Sequence, residues 1–176
     1  ISFFSGAKYK YGYAYRFRKF LYNRVVKQDP TPKYVVDFKM DLLKDFGIKS
    51  GYRKTSIYVS DEIVQNMRNF LLESGWDGKA KILGLVTPNV RKIAMVKNWI
   101  FERYIELANR AQKELGVFIV ILWGPGEEEN AKKIKAGLEM QNLCVMNQNL
   151  TIKELAGLIK NCSVVLSGCS GPKHIA

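Results

Sequence analysis

The chain has 176 residues, 47% hydrophobic and 25% charged, the composition of a folded globular protein and not of a disordered tail. No apolar run reaches the roughly 18 residues that a bilayer-spanning helix needs, and no N-terminal stretch has the layout of a secretory signal. A net charge of +12 points to an anionic partner.

The first forty residues hold nine Lys or Arg against two Asp, so seven of the twelve net charges lie there. In FFSGAKYKYGYAYRFRKFLYNRVVK, Phe and Tyr interleave with Lys8, Lys10, Arg16, Arg18 and Lys19. That pattern suits three surroundings: a neighbouring domain that receives the aromatics, anionic lipid or glycolipid headgroups, or single-stranded nucleic acid. Alternation predicts a strand through AKYKYGYAYRFRKF, with Gly12 as a break. The prolines of DPTP make a turn. Val35, Val36, Met40, Leu42, Leu43 and Phe46 fall near helical spacing, and Gly47 closes that helix. KTSIYVS reads as a short strand. SDEIVQNMRNFLLESG reads as a helix capped by Ser60 or Asp61 and stopped at Gly75, and WDGKA as a linker.

From Lys81 the pattern becomes regular. KILGLV is a strand, TPNVRKIAMVKN a loop, and WIFERYIELANRAQKEL a helix ended by Gly116. VFIVIL is an uninterrupted apolar strand, as expected for a parallel strand covered on both faces. The loop WGPG leads to the helix EEENAKKIKAGLEM, whose first turn is acidic. LCVM is a strand, NQNL a loop, and TIKELAGLIKN a helix opened by a Thr151–Glu154 capping box. SVVLS is the last strand, and GCSGP leads into a helix at KHIA. Four β–α units in series predict an α/β fold with a right-handed, Rossmann-like parallel sheet. Residues 1–76 are expected to be the end of a first domain plus an interdomain segment, and 77–176 a Rossmann-like second domain. Cys144, Cys162 and Cys169 lack CxxC spacing; with one His they argue against a cysteine–histidine zinc site and fit a reducing compartment. Cys144 and Cys162 read as small core residues.

In a parallel α/β sheet, ligands bind outside the carboxyl ends of the strands. The loops that leave those ends here hold the Gly, Pro, Ser, Thr and Asn clusters. In SGCSGPKH, Gly168 and Gly171 let backbone amides approach a ligand, Ser170 adds a hydroxyl, and Pro172 suits a first helical turn. Neither GxGxxG after a strand nor GxxxxGK[ST] occurs, which counts against an NAD enzyme and a P-loop kinase. No DxD precedes a loop in the sheet region, so a metal–diphosphate clamp is not indicated.

Four stretches carry a family resemblance. They are TPN…VKNWIFERYIELA with Pro88, Lys97 and Trp99; ILWGPGEEENAKKI with Gly124 and Glu127; NLTIKELAGLIKNC with Leu150; and CSGPKHIA with Ser170, Gly171 and His174. Together they resemble glycosyltransferase family 9, the heptosyltransferases of the lipopolysaccharide inner core. The resemblance is good over 81–176 and weak over 6–50. It implies the two-domain glycosyltransferase-B architecture, here incomplete, with the nucleotide-sugar donor on the second domain. It further implies an inverting, metal-independent enzyme that moves a sugar, heptose in this family, from an ADP-sugar to an anionic glycolipid acceptor of the lipopolysaccharide type. No cofactor beyond the donor and no nucleic-acid partner are implied. The implied location is the cytoplasm, with peripheral contact at the inner face of the cytoplasmic membrane. The resemblance places Lys97 and Thr87 at the donor diphosphate, Ser170 and Gly171 on a phosphate, Glu127 on the ribose and Leu150 beside the base. His174 would meet the diphosphate or support its loop, and Trp99 would be core. Lys8, Lys10, Arg16, Arg18 and Lys19 would face acceptor phosphates or the membrane. Cys169 stands in the donor set where the family has Asp, and Asn89 where it has Gly. The Cys169 departure opens a second expectation, a relative that binds a nucleotide or glycan without transferring sugar. The family's catalytic base is an acid near the start of the first domain. This sequence, which does not begin with Met, is expected to be the middle of a longer protein, and no base is assigned within it.

Overall fold

In the computed structural model, residues 5–14, 16–27, 31, 35–48, 56–88, 90, 98–147, 149–168 and 170–176 are described. The chain divides into two units, Ile1–Thr55 and Ser56–Ala176. In the first, Tyr11–Tyr13 (β1) pairs in parallel with Arg24–Val26 (β2), joined through a 3-10 helix at Arg16–Leu21. Gly12 lies inside β1 and does not break it, because the Tyr22 ring occupies the space a side chain would need. Val35–Met40 (α1) runs on as a 3-10 helix, Asp41–Phe46, and Gly47 ends it at φ 74°, a left-handed turn. The Tyr13 ring stacks on Phe38 with centroids 4.2 Å apart and its hydroxyl donates to the Phe38 carbonyl; Tyr11 packs on Phe46 at 4.4 Å.

The second unit starts with Asp61–Glu73 (α2), capped by the Ser60 hydroxyl, which accepts from the Ile63 N–H. Of KTSIYVS, expected to be strand, residues 56–60 form none and 54–55 lie outside the described residues; Ser60 is extended where it caps α2. Ile82–Val86 (β3), Phe101–Leu115 (α3), Phe118–Leu122 (β4), Glu128–Ala136 (α4), Cys144–Met146 (β5), Ile152–Asn161 (α5), Val164–Leu166 (β6) and Gly171–Ile175 (α6) follow. The four strands of this unit form one parallel sheet in the order β5–β4–β3–β6. β3 and β4 are buried at every position. Their alternate residues face opposite layers. Ile82, Val86, Phe118, Val120 and Leu122 pack with Leu71 of α2 and Leu158 of α5. Leu83, Leu85, Ile119 and Ile121 pack with Tyr104 of α3 and Ile134 of α4.

The helix expected over EEENAKKIKAGLEM stops at Gly137, where an added Cβ would sit 2.7 Å from Ile105 Cδ1. α2, which the sequence reading put within the stretch 1–76, packs on α5 of the second unit. Asn161 Nδ2 donates to the Val64 carbonyl at 3.1 Å, and a Cβ on Gly157 would lie 2.9 Å from Ile63 Cγ2. Among the described residues no helix is long and apolar enough to cross a membrane.

Candidate functional site

All four strands of the second sheet run the same way, so their carboxyl ends share one edge. Thr87 leaves β3, Trp123 leaves β4, Asn147 leaves β5 and Ser167 leaves β6. The ladder continues one step past the strands: the Thr87 N–H donates to Leu122 O at 2.9 Å and the Asn147 N–H to Ile121 O at 3.1 Å. Both residues are almost fully buried, at 3% and 4% exposure. A buried polar side chain needs partners to offset its lost hydration, and both have them.

Thr87 Oγ1 donates to Glu127 Oε2 at 2.8 Å, and the Gly124 N–H donates to the same oxygen at 3.1 Å. The other Glu127 oxygen has no partner among the described residues. Glu127 closes a tight turn, its N–H donating to Gly124 O at 2.9 Å, with Gly126 at φ 85°. Only glycine adopts that conformation without strain. Asn130 Nδ2 then donates to Pro88 O at 3.2 Å, so two hydrogen bonds tie the start of α4 to the end of β3. At the next boundary, the Trp123 N–H donates to Asn147 Oδ1 at 2.7 Å and Asn147 Nδ2 donates back to Trp123 O at 3.2 Å. The Trp123 indole N–H donates to Asn147 O at 2.6 Å. Beside β3 on its other flank, the Ser167 and Ser170 hydroxyls lie 2.7 Å apart, one donating to the other. Ser170 is extended at φ −141° and ψ 168° and opens α6, with Pro172 in the first turn as expected. Among the described residues, a Cβ on Gly171 would meet nothing within 4 Å.

This edge holds a half-buried carboxylate with one oxygen fixed and, past the end of the neighbouring strand β6, a serine pair. Such a carboxylate can accept hydrogen bonds from adjacent hydroxyls of a sugar. Residues 1–176 match the model of glycosyltransferase family 9 (heptosyltransferase). The chain belongs to that family. The lipopolysaccharide core heptosyltransferase OpsX of Haemophilus influenzae is 29% identical over 155 residues, covering 88% of this chain and 42% of that protein. Among solved structures, the family 9 glycosyl transferase of Veillonella parvula superposes with a TM-score of 0.77 at 18% identity, over 97% of this chain and 48% of that one. The E. coli ADP-heptose lps heptosyltransferase II gives 0.72 at 19% identity, over 97% and 53%. E. coli heptosyltransferase WaaC with ADP-2-deoxy-2-fluoro heptose gives 0.55 at 21%, over 89% and 45%. The fold is therefore the α/β, glycosyltransferase-B type fold of family 9, and the chain spans less than half the length of the curated relative it matches.

Of the family 9 positions read from the sequence, the fold brings Thr87 and Glu127 into direct contact across 40 positions. Ser170 comes to the same edge because β6 lies beside β3. Gly171 and His174 are exposed on α6. Leu150 is half-buried against the core layer that holds Leu158 and Ile159. Lys97 and Cys169 lie outside the described residues. Trp99 was expected in the core; it is 44% exposed and meets Tyr104 edge-on at 5.5 Å, so one face of the indole stays in solvent. Cys144 and Cys162 pack into the two core layers as expected. Burial pushes both thiols up to about 12, so neither is a nucleophile at neutral pH. In the first unit, Lys8 Nζ sits 5.5 Å from the Tyr9 ring and Lys19 Nζ 5.2 Å from Phe20, a cation beside an aromatic in each case. Arg16 and Arg18 begin the 3-10 helix, and their side chains lie outside the description. Sequence reading missed Asn147 and Ser167. The available signal was position: a polar residue directly after an apolar strand of a parallel sheet.

Proposed function

We propose that this chain forms the donor side of a heptosyltransferase, which moves heptose from ADP-heptose to a phosphorylated lipopolysaccharide-type acceptor with inversion and without a metal ion. The observation that carries the reading is the Glu127 carboxylate, held at the strand edge by Thr87 and Gly124, its other oxygen without a partner among the described residues. That oxygen would accept from the ribose hydroxyls of ADP. Leu150 would border the base, while Ser170 and the amide of Gly171, with Lys97, would take the diphosphate and His174 would flank it. Fixed donors and a cation stabilise the charge that builds on the departing ADP, which is what a metal does elsewhere. In the transfer the acceptor oxygen bonds to the anomeric carbon as the bond from that carbon to the diphosphate breaks. The acceptor proton passes to a base, to which no residue of this chain is assigned. The names of the relatives support this choice of donor and acceptor: a lipopolysaccharide core heptosyltransferase, an ADP-heptose lps heptosyltransferase, and WaaC with ADP-2-deoxy-2-fluoro heptose. Lys8, Lys10, Arg16, Arg18 and Lys19 would face the acceptor phosphates, with the protein at the inner face of the cytoplasmic membrane.

Cys169 favours a second reading, a nucleotide-binding relative without transfer, since a thiol is a poor hydrogen-bond acceptor where the family has a carboxylate. One experiment separates them. The intact protein is given a panel of nucleotide-sugars and a heptose-deficient lipopolysaccharide acceptor, with and without EDTA, and ADP release is followed. Transfer from ADP-heptose that EDTA does not slow is the expected result. ADP binding without transfer from any donor would establish the second reading, and absence of both would overturn the donor site. Lys97→Ala should weaken ADP binding by about 1–3 kcal/mol, the range for losing a charged partner.

A further inference from the structure

We propose that Asn147 is a positioning residue that aims the Glu127 carboxylate, although it does not touch it. This rests on the reading of Glu127 as the ribose contact. Asn147 is 4% exposed, and each end of its amide bonds Trp123: Oδ1 accepts from the N–H and Nδ2 donates to the C=O. Only one orientation of the amide satisfies both, so the side chain acts as an extra rung of sheet beyond the end of β5. The carbonyl that Nδ2 holds and the Gly124 N–H belong to one planar peptide unit. Fixing the Trp123 oxygen therefore fixes the direction of the Gly124 N–H, which is the group that donates to Glu127 Oε2 at 3.1 Å.

The Trp123 side chain packs on the core, but little crowds the Gly124 end of that peptide: among the described residues a Cβ on Gly124 would meet a single atom within 4 Å, Glu127 Oε2 itself at 3.8 Å. The following turn contains Gly126 at φ 85°, which is free to take other conformations. Without the clip, the Trp123–Gly124 peptide can rotate and Glu127 keeps only Thr87. With it, an unbroken path runs from β5 through the β4 loop to the carboxylate at the head of α4. The indole bond to Asn147 O, 2.6 Å, closes the pair from the side-chain end.

The test uses the intact protein and two probes, ADP and 2′,3′-dideoxyadenosine diphosphate, which lacks the hydroxyls Glu127 would read. The wild-type preference for ADP tests the Glu127 reading by itself; equal affinities would remove that reading and this inference with it. Given a preference, Asn147→Ala should lower ADP affinity about tenfold, the scale of one lost charge-assisted hydrogen bond, and change dideoxy-ADP less than twofold. In a Glu127→Ala background the same substitution should change ADP affinity less than twofold. Thermal melting of each variant shows that the fold is kept. Should Asn147→Ala not fold, Asn147→Asp, which keeps an oxygen for the Trp123 N–H but has no hydrogen to give its carbonyl, is read by the same ratio. Equal weakening of both nucleotides, or an effect that persists without Glu127, would make Asn147 a general stabiliser of the sheet edge and overturn the proposal.

Discussion

Thr87 has a single hydroxyl hydrogen, and Glu127 receives it. A phosphate contact from Thr87 would need that bond to break, since a hydroxyl donates once. Thr87→Val keeps the volume and removes the donor. If the hydroxyl serves Glu127, ADP binding should weaken by about 0.5–1.5 kcal/mol with dideoxy-ADP unaffected. If it serves the diphosphate, both should weaken alike, and calorimetric titration of the two nucleotides decides. The buried thiols make a separate prediction. Cys144 is raised by burial, with Lys135 opposing, and Cys162 by burial alone. Because the folded pKa values lie above those of the unfolded chain, the stabilising contribution is whole below about pH 8.5. It falls as pH climbs towards 12, by at most about 1.4 kcal/mol per pH unit for each thiol. Urea midpoints at pH 8, 9 and 10 should decline in step, and iodoacetamide at pH 8 should modify both cysteines only in urea. The sequence places Glu127 and Thr87 in loops that leave the strands but does not show their mutual bond; Asn147 escaped it, because its side chain bonds Trp123, which only the strand order brings beside it.

At the scale of elements, the close contact between α2 and α5 is made possible by Gly157. Alanine is favoured over glycine by about 1 kcal/mol in an exposed helix, so propensity alone makes Gly157→Ala stabilising. Here a Cβ would lie 2.9 Å from Ile63 Cγ2 and 3.3 Å from Ile63 O, with Met67 Cγ at 3.4 Å. The helices must part, and the expected outcome is a loss of about 1–3 kcal/mol in urea unfolding. A gain would mean that α2 does not press on α5. The other end of α5 was readable in full. Thr151 accepts from the Glu154 N–H while the Glu154 carboxylate accepts from the Thr151 N–H and hydroxyl, which holds that carboxyl below the usual range. Caps, glycine stops and apolar runs are local, and they placed every element of the second sheet. What escaped was set by distant partners. Ile105 leaves no room for a side chain at Gly137, the Tyr22 ring selects Gly12 inside β1, and Asn161 of α5 ties down α2 through the Val64 carbonyl. None of these contacts leaves a periodic trace in the chain.

At the scale of the whole molecule, charge divides the chain as the contacts do. Residues 1–55 carry thirteen Lys and Arg against four Asp, a net +9, while 56–176 carry fifteen against twelve acids, a net +3. The donor residues argued above all follow Thr55, so the unit with most of the charge is the one without the proposed nucleotide contacts. A strong positive field on one unit steers and holds an anionic partner, and such binding weakens with salt in proportion to the ions released. Replacing Lys8, Lys10, Arg16, Arg18 and Lys19 by Gln takes the first unit from +9 to +4. In the intact protein, affinity for a phosphorylated glycolipid acceptor, titrated at 50 and 200 mM salt, should fall and its salt dependence should flatten. ADP affinity, measured alongside, should hold and report that the donor unit is intact. If acceptor affinity and its salt slope both stay as they were, the segment has no acceptor role, and exposed Phe17 and Phe20 on its 3-10 helix become a packing surface whose neighbouring cations keep it soluble.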